Sequence, residues 1–341
     1  MERYMPAEWE CDSAVLMALP HKDTDWNYIL DEVTRCYFDI VDAVTRERPV
    51  ILLVDNIESA RSIMSGITNP DNLYYCQIKT NDTWARDFGP ITVIENGRPL
   101  CLDFSFNGWG LKFPACFDNL ITSRLKEASV LIAPVENRLG FVLEGGSIES
   151  DGAGTVFTTS ECLLSKNRNG GMNKEQIETY LKDALGAERI MWIDYGYLAG
   201  DDTDSHIDTL VRIAPNDTLL YVKCSDPSDE HFEELNKMES QLKEFRTSDG
   251  MPYNLIALPM PDAIVIDGER LPATYANFLV TPTSVSYPTY GQKQNDELAG
   301  QILKIAFPNH NIRGIGCIPL IRQHGSLHCI TMQMPKKVFP L

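Results

Sequence analysis

Short apolar runs alternate with longer amphipathic stretches along this 341-residue chain. The runs VLMALP (15–20), VILLVD (50–55), LCLDFSF (100–106), SVLIAP (129–134), TVFTTS (155–160), RIMWID (189–194), TLLYVKC (218–224), NLIALPM (254–260), FLVTPTSVSYP (278–288) and SLHCITMQM (326–334) predict strands. Four stretches between them carry a helical period. From Asp25 to Arg46, residues Ile29, Val33, Cys36, Ile40 and Val44 fall on one face. Residues 173–185 and 228–245 repeat the pattern, with Asn173 and either Ser228 or Asp229 as caps. Residues 295–307 give the fourth helix. The helical patterns recur about every 60 residues, which points to a structural repeat without sequence identity between units. No Pro- or Ser-rich linker divides the chain, so it reads as a single domain over residues 1–341.

Composition narrows the classes. With 43% hydrophobic and 23% charged residues the chain can bury a core, which excludes disorder and coiled coil. No apolar run reaches the roughly 18 residues of a membrane helix. The opening MERYMPAEWE is charged where a signal peptide is apolar, so a cytoplasmic protein is expected. Thirty Lys+Arg against 48 Asp+Glu leave a net charge of −18. Such a surface disfavours nucleic acid and favours a small cationic ligand. The nine cysteines are odd in number and widely spaced, with no CxxC pair. That excludes a disulfide framework and a zinc ribbon.

Four clusters carry candidate chemistry. In TWARDFGP (83–90), Trp84 offers a flat face for a planar cation, and Asp87 offers paired acceptors for a guanidinium. In LEGGSIESDGAGTVFTTSECLL (143–164), Glu144 precedes two glycines that allow close backbone approach, and Asp151-Gly152 predicts a hairpin turn. In GDDTDSHIDTLVRI (200–213), an extended backbone would place Asp202, Asp204, His206 and Asp208 on one side and Ile207 on the other. In RQHGSLHCITMQMP (322–335), Cys329 is expected on a strand after a Gly turn, where it could act as a nucleophile. Each cluster alone also admits a structural role: Trp84 in the core, Arg86 paired with Asp87, Glu144 as a turn acid, Cys329 as a buried hydrophobe.

Together the clusters hold the set needed to attack a guanidinium carbon. The cation is resonance-stabilised and a poor electrophile, so two carboxylates must hold it while a thiolate attacks. An imidazolium can protonate the departing amine and then activate water.

These clusters, with FNGWGLKFP (106–114) and the NRN of 167–169, resemble in order the agmatine deiminase family of the guanidine-modifying, or pentein, superfamily. The resemblance implies a five-bladed α/β propeller of pseudo-repeated ββαβ units around a central site. It implies Cys329 as nucleophile, His206 as general acid then base, and Asp87 and Asp208 as the guanidinium grip. Trp84 and Glu144 would line the pocket, with Asp202 or Asp204 near the substrate's far amine. It calls for no cofactor and no metal. The implied product is an N-carbamoyl amine plus ammonia, which for agmatine is N-carbamoylputrescine, on the way to putrescine. This chain differs from many relatives at Phe88, at Ser205 and in the RQHGSLHC loop, which bear on the substrate tail.

Other substrates of the same chemistry are free arginine and protein arginine. A free α-carboxylate calls for a basic partner, and acids dominate the motif segments. Two other classes are a divalent-metal hydrolase using the acids of 201–208 with His206, and a non-catalytic polyamine binder. A homodimer is expected on size.

Overall fold

The computed structural model describes residues 3–341. One unit recurs five times: two antiparallel strands, a helix, and a third strand parallel to the second. Its clearest copies are Val211–Ala214, Thr218–Lys223, helix Phe232–Glu244 and Asn254–Pro259, then Leu279–Val280, Ser284–Thr289, helix Lys293–Ala306 and Asn311–Gly316. Ile148–Ser150, Thr155–Thr159, helix Lys174–Leu185 and Arg189–Ile193 form another. Ile91–Glu95, Arg98–Ser105, helix Ile121–Glu127 and Val135–Val142 form a fourth. The fifth joins the two ends of the chain. Met332–Met334 pairs antiparallel with Ala14–Ala18, which is followed by helix Leu30–Thr45 and the parallel strand Val50–Val54.

The unit follows from pattern. Parallel strands need a long crossover, and a helix with one apolar stripe supplies it while covering the sheet. Val33, Tyr37, Ile40, Val41 and Val44 of Leu30–Thr45 are buried against Val50–Val54, itself fully buried. Asn173 starts its helix with a capping box, accepting from Gln176 N while the Gln176 side chain returns to Asn173 N. The helix over 228–245 begins later than Ser228, at Phe232 with His231 as its cap. No helix among the described residues is long and apolar enough to cross a membrane.

Two predicted strands are misplaced. Residues 129–134 are irregular, and the strand lies just beyond, at Val135–Val142. Its side chains are mostly exposed or half-buried, so it has no apolar run to read. In 326–334 only Met332–Met334 is strand, and Cys329 sits in the turn before it.

Candidate active site

Each unit's first strand is preceded by a short irregular turn, and these five turns carry the candidate chemistry. Helix Ala85–Phe88 presents Asp87 before Ile91–Glu95. Glu144 and the turn Gly145–Ser147 precede Ile148–Ser150. His206 caps the turn Ile207–Thr209, which carries Asp208, before Val211–Ala214. Asn277 stands just before Leu279–Val280, and Cys329 just before Met332–Met334.

Gly146 marks where the turns meet. A Cβ there would lie 2.7 Å from His206 Nδ1, 2.8 Å from Asp87 Oδ1 and 3.2 Å from Asp208 Oδ2. The missing side chain lets the Gly146 N–H donate to Asp87 Oδ1 at 2.9 Å. Gly146→Ala is therefore expected to displace all three groups and lower kcat/KM by about 100-fold. Steady-state kinetics on a variant with an unchanged circular-dichroism spectrum checks this.

The other oxygen of Asp87 accepts from Trp109 Nε1 at 2.8 Å. Trp109 belongs to a left-handed turn in which Gly108, Trp109, Gly110 and Leu111 all have positive φ (69°, 54°, 83°, 69°). Two glycines make that backbone accessible, while Trp109 and Leu111 carry strain. The Asn107 side chain, accepting from Gly110 N at 2.9 Å, helps hold it.

Asp208 Oδ2 is engaged by His328 Nδ1 at 2.7 Å and by Asn277 Nδ2 at 3.3 Å, and lies 3.7 Å from Cys329 Sγ. Its Oδ1 is buried without a protein partner. His328 continues to Glu8 Oε1 at 2.6 Å, and Glu8 is held by Arg212 and Arg86. Arg86 thus pairs with Glu8, and the sequence alternative in which it pairs with Asp87 does not occur.

Both ring nitrogens of His206 are buried without a hydrogen-bond partner, with Nδ1 3.6 Å from Asp87 Oδ1. Glu144 and Cys162 lie near the ring, one ligating atom of each within 4.8 Å of the others.

Burial pushes Asp87 up to about 6 against the pull of His206, and Asp208 adds repulsion. Asp208 stays below the usual carboxylate range: burial opposes this, but the His328 hydrogen bond and neighbouring cations outweigh it. His206 stands well above a usual imidazole: burial works against it, but Asp87, Cys162 and Glu144 reverse that. The Cys329 thiol is pushed well up by burial, then by Asp208 and Asp87. The resting site is thus set toward imidazolium, carboxylates and a protonated thiol.

Above these groups lies a pocket lined by Cys329, Asp87, Trp84, Trp109, Phe113 and further polar residues, among them Asp25, Asp82, Asp202 and His324. Trp84 packs on Trp26 (ring centroids 5.5 Å apart) and on Gly325, where a Cβ would lie 2.3 Å from the indole. Burial, with repulsion from Asp25 and Asp202, raises Asp82 to about 7; burial and Asp201 raise Asp202 to about 6.

The structure brings Cys329, Asp87, Trp84 and Asp202 to the pocket wall, with His206 and Asp208 buried beside it. It does not bring Glu144 and Asp204. Glu144 is fully buried in a bidentate pair with Arg168 Nε at 2.9 and 3.0 Å, so it does not line the pocket. Asp204 pairs with Lys112 at 2.6 Å and Arg168 at 2.5 Å. The reason is local: Asp204 and Ser205 have φ of 64° and 59°, so the segment turns and the two-residue alternation of a strand does not apply. Asp201 stabilises that turn by accepting from Ser205 N and Thr203 Oγ1. The acids of 201–208 therefore diverge to separate partners, and do not form the oxygen-rich cage a metal hydrolase would need. Two other groupings of ligand types among the described residues, Glu144/Cys162/His206 and Glu8/Glu149/His328, already hold the cations Arg168 and Arg212.

Sequence reasoning missed Asn277, His328, Trp109, Asp82 and Asp25. A usable signal for Asn277 was its place before a strand, the position that the functional residues of the other units occupy.

Five ββαβ units with a thiol, an imidazole and two carboxylates at their turns define a pentein-type α/β protein built for guanidine chemistry. Distant likenesses agree on the fold: an amidinotransferase from Microseira wollei (13% identity, 96% of each chain covered, TM-score 0.54) and a dimethylarginine dimethylaminohydrolase (12%, 95% of this chain and all of the other, 0.51). Residues 4–335 match the family model of Porphyromonas-type peptidyl-arginine deiminases, and the chain belongs to that family. A Porphyromonas gingivalis structure provisionally named an arginine deiminase is 45% identical, covers 99% of this chain and 100% of its own, and superposes with TM-score 0.95. A C. jejuni agmatine deiminase, solved as a Cys-to-Ser variant with substrate bound, is 39% identical over 98% of this chain and 97% of its own, with TM-score 0.92. A Legionella pneumophila protein, provisionally named an agmatine deiminase, is 36% identical over 98% of this chain and 95% of its own. The chain is a hydrolase of the guanidine-deiminating kind.

Proposed function

We propose that this single catalytic domain converts agmatine to N-carbamoylputrescine and ammonia through a covalent intermediate on Cys329. The observation that carries the substrate is the pocket wall: four aspartates, Asp25, Asp82, Asp87 and Asp202, and no Lys or Arg among its described lining residues. Agmatine is a cation at both ends. Its guanidinium fits between Asp87 and the free Oδ1 of Asp208, with Trp84 against its flank. Its primary ammonium meets Asp25, Asp82 and Asp202, three acids whose mutual repulsion a cation relieves. Free arginine would bring its α-carboxylate to the same three acids, and peptidyl arginine would leave them without a counter-charge.

A guanidinium bound between two carboxylates supplies the positive charge that the Cys329 thiol needs in order to ionise. The thiol proton passes to solvent, the S–C bond forms, and the His206 imidazolium protonates the departing nitrogen as its C–N bond breaks, so the site holds a cationic thiouronium beside a neutral imidazole and releases NH3, which takes up a solvent proton as ammonium. His206, now neutral, removes a proton from water. The O–C bond forms, the C–S bond breaks with the adduct's hydroxyl proton returning to sulfur, and the product leaves with a neutral urea group in place of the guanidinium and its primary ammonium unchanged. Cysteines free of disulfides fit a reducing cytoplasm as the place of action, and putrescine formation fits as the pathway.

An ammonia-release assay at equal concentrations of agmatine, arginine and a peptidyl-arginine tests the reading. The expected order places agmatine first by at least about 100-fold in kcat/KM, since only agmatine brings a second cation to Asp25, Asp82 and Asp202. Peptidyl-arginine as the preferred substrate would overturn it, in favour of the activity in the family's description.

A further inference from the structure

We propose that His324 is a specificity-determining residue, whose ring nitrogen Nε2 accepts a hydrogen bond from the primary ammonium of the substrate. The inference rests on the reading of agmatine as substrate and adds a neutral acceptor for its far end.

One contact sets the chemistry of the ring. His324 Nδ1 lies 2.6 Å from the backbone carbonyl oxygen of Gly200. A carbonyl oxygen can only accept, so Nδ1 carries the proton, and in the neutral imidazole Nε2 is then an acceptor. No described residue hydrogen-bonds to that nitrogen. The half-buried ring belongs to the wall of the pocket that also holds Cys329, Asp87 and Trp84.

The backbone around the ring is pinned on three sides. His324 has φ of 68°, a conformation that favours glycine, so the imidazole is carried there against local strain. On one side Gln323 Nε2 donates to the carbonyl of Asp25 at 3.1 Å. On the other, Gly325 packs on the Trp84 indole, where a Cβ would lie 2.3 Å away. Gly200, which the imidazole holds, comes two residues before Asp202, whose own carbonyl accepts from Lys112 Nζ at 2.6 Å. The loop before the nucleophile is thus tied to the segments that carry Asp25 and Asp202, with His324 between them. After burial and Asp201, the His324 ring is among the groups that act on the Asp202 carboxyl.

Charge gives the acceptor its task. An ammonium offers three N–H donors and needs an acceptor for each. Asp25, Asp82 and Asp202 supply negative charge, but burial and their mutual repulsion already raise Asp82 and Asp202. One more carboxylate would add to that repulsion. A neutral lone pair adds an acceptor without it. The same lone pair faces a carboxylate unfavourably, so it favours the amine of agmatine over the α-carboxylate of arginine.

Two substitutions separate the roles of the two ring nitrogens. In His324→Asn the side-chain NH2 can replace Nδ1–H toward Gly200 O, and the Nε2 acceptor is gone. In His324→Gln the longer amide can bring an oxygen toward the Nε2 position, and the tether is lost. Agmatine is compared with n-pentylguanidine, in which a methyl group stands in place of the ammonium. In His324→Asn the KM for agmatine is expected to rise about tenfold with kcat within about twofold, while kcat/KM for n-pentylguanidine stays within about twofold. His324→Gln should keep the agmatine KM within about threefold of the parent. An unchanged preference for agmatine over n-pentylguanidine in His324→Asn overturns the proposal. So does the opposite order of the two variants, which would make the ring a tether alone. Should either variant fail to fold, the parent ring decides. In Cys329→Ala, the nitrogen-15 resonance of His324 Nε2 must move further on adding agmatine than on adding n-pentylguanidine; an equal response overturns the proposal. A parent enzyme that deiminates agmatine no better than n-pentylguanidine refutes the functional reading and this inference with it. A parent that prefers agmatine, with the preference intact in His324→Asn, refutes this inference alone.

Discussion

Replacing Cys329 with Ser is expected to lower deimination of agmatine by about 10^4-fold or more while leaving substrate binding within severalfold of the parent. A hydroxyl is a far weaker nucleophile toward a charged, resonance-stabilised carbon, and it ionises far less readily than a thiol. The carboxylates proposed to hold the guanidinium, Asp87 and Asp208, and the other aspartates of the pocket remain in place. Among the eight other cysteines, Cys162 lies beside His206 and is fully buried. The same change there should cost far less. Equilibrium binding alongside single-turnover ammonia release checks both halves, and wild-type turnover in Cys329→Ser would contradict the assignment.

The second large effect is expected at Asp87. Asp87→Asn should reduce kcat/KM by about 10^3-fold, because a desolvated guanidinium loses one of its two opposing charges. Shape alone would not rescue it. Both oxygens of Asp87 accept, one from Gly146 N and the other from Trp109 Nε1, so an amide NH2 must face a donor in either orientation. His206 also loses its nearest carboxylate, at 3.6 Å, and its imidazolium form is less favoured. The loss should therefore show in kcat as well as in KM. A change confined to KM, with kcat intact, would mean that Asp87 binds substrate without supporting the general acid.

How far the sequence was legible depended on what each residue needed from its surroundings. Strands buried on both faces, such as Val50–Val54, and helices with one apolar stripe, such as Leu30–Thr45, announce themselves, since burial demands the pattern. Val135–Val142 was hidden because an exposed strand needs no apolar residues; it is held by backbone pairing to the strand Arg98–Ser105. Cys329, Asp87, His206 and Asp208 were legible as reactive types beside strand starts. Glu144 and Asp204 were legible only as acids. Their partners, Arg168 and Lys112, lie elsewhere in the chain, and the positive φ of Asp204 and Ser205 that turns one of them away leaves no mark in composition. Asn277 was invisible for a related reason: TYANFLV reads as a strand edge, and only the approach of Cys329 gives its amide a function.

The most direct test of the whole account is rapid acid quenching of the enzyme with agmatine, followed by mass spectrometry of the peptide containing residue 329. The account predicts an adduct retaining the agmatine skeleton less ammonia, located on Cys329 and absent in Cys329→Ala. Full turnover with no adduct on that sulfur, or an adduct on another residue, would contradict it.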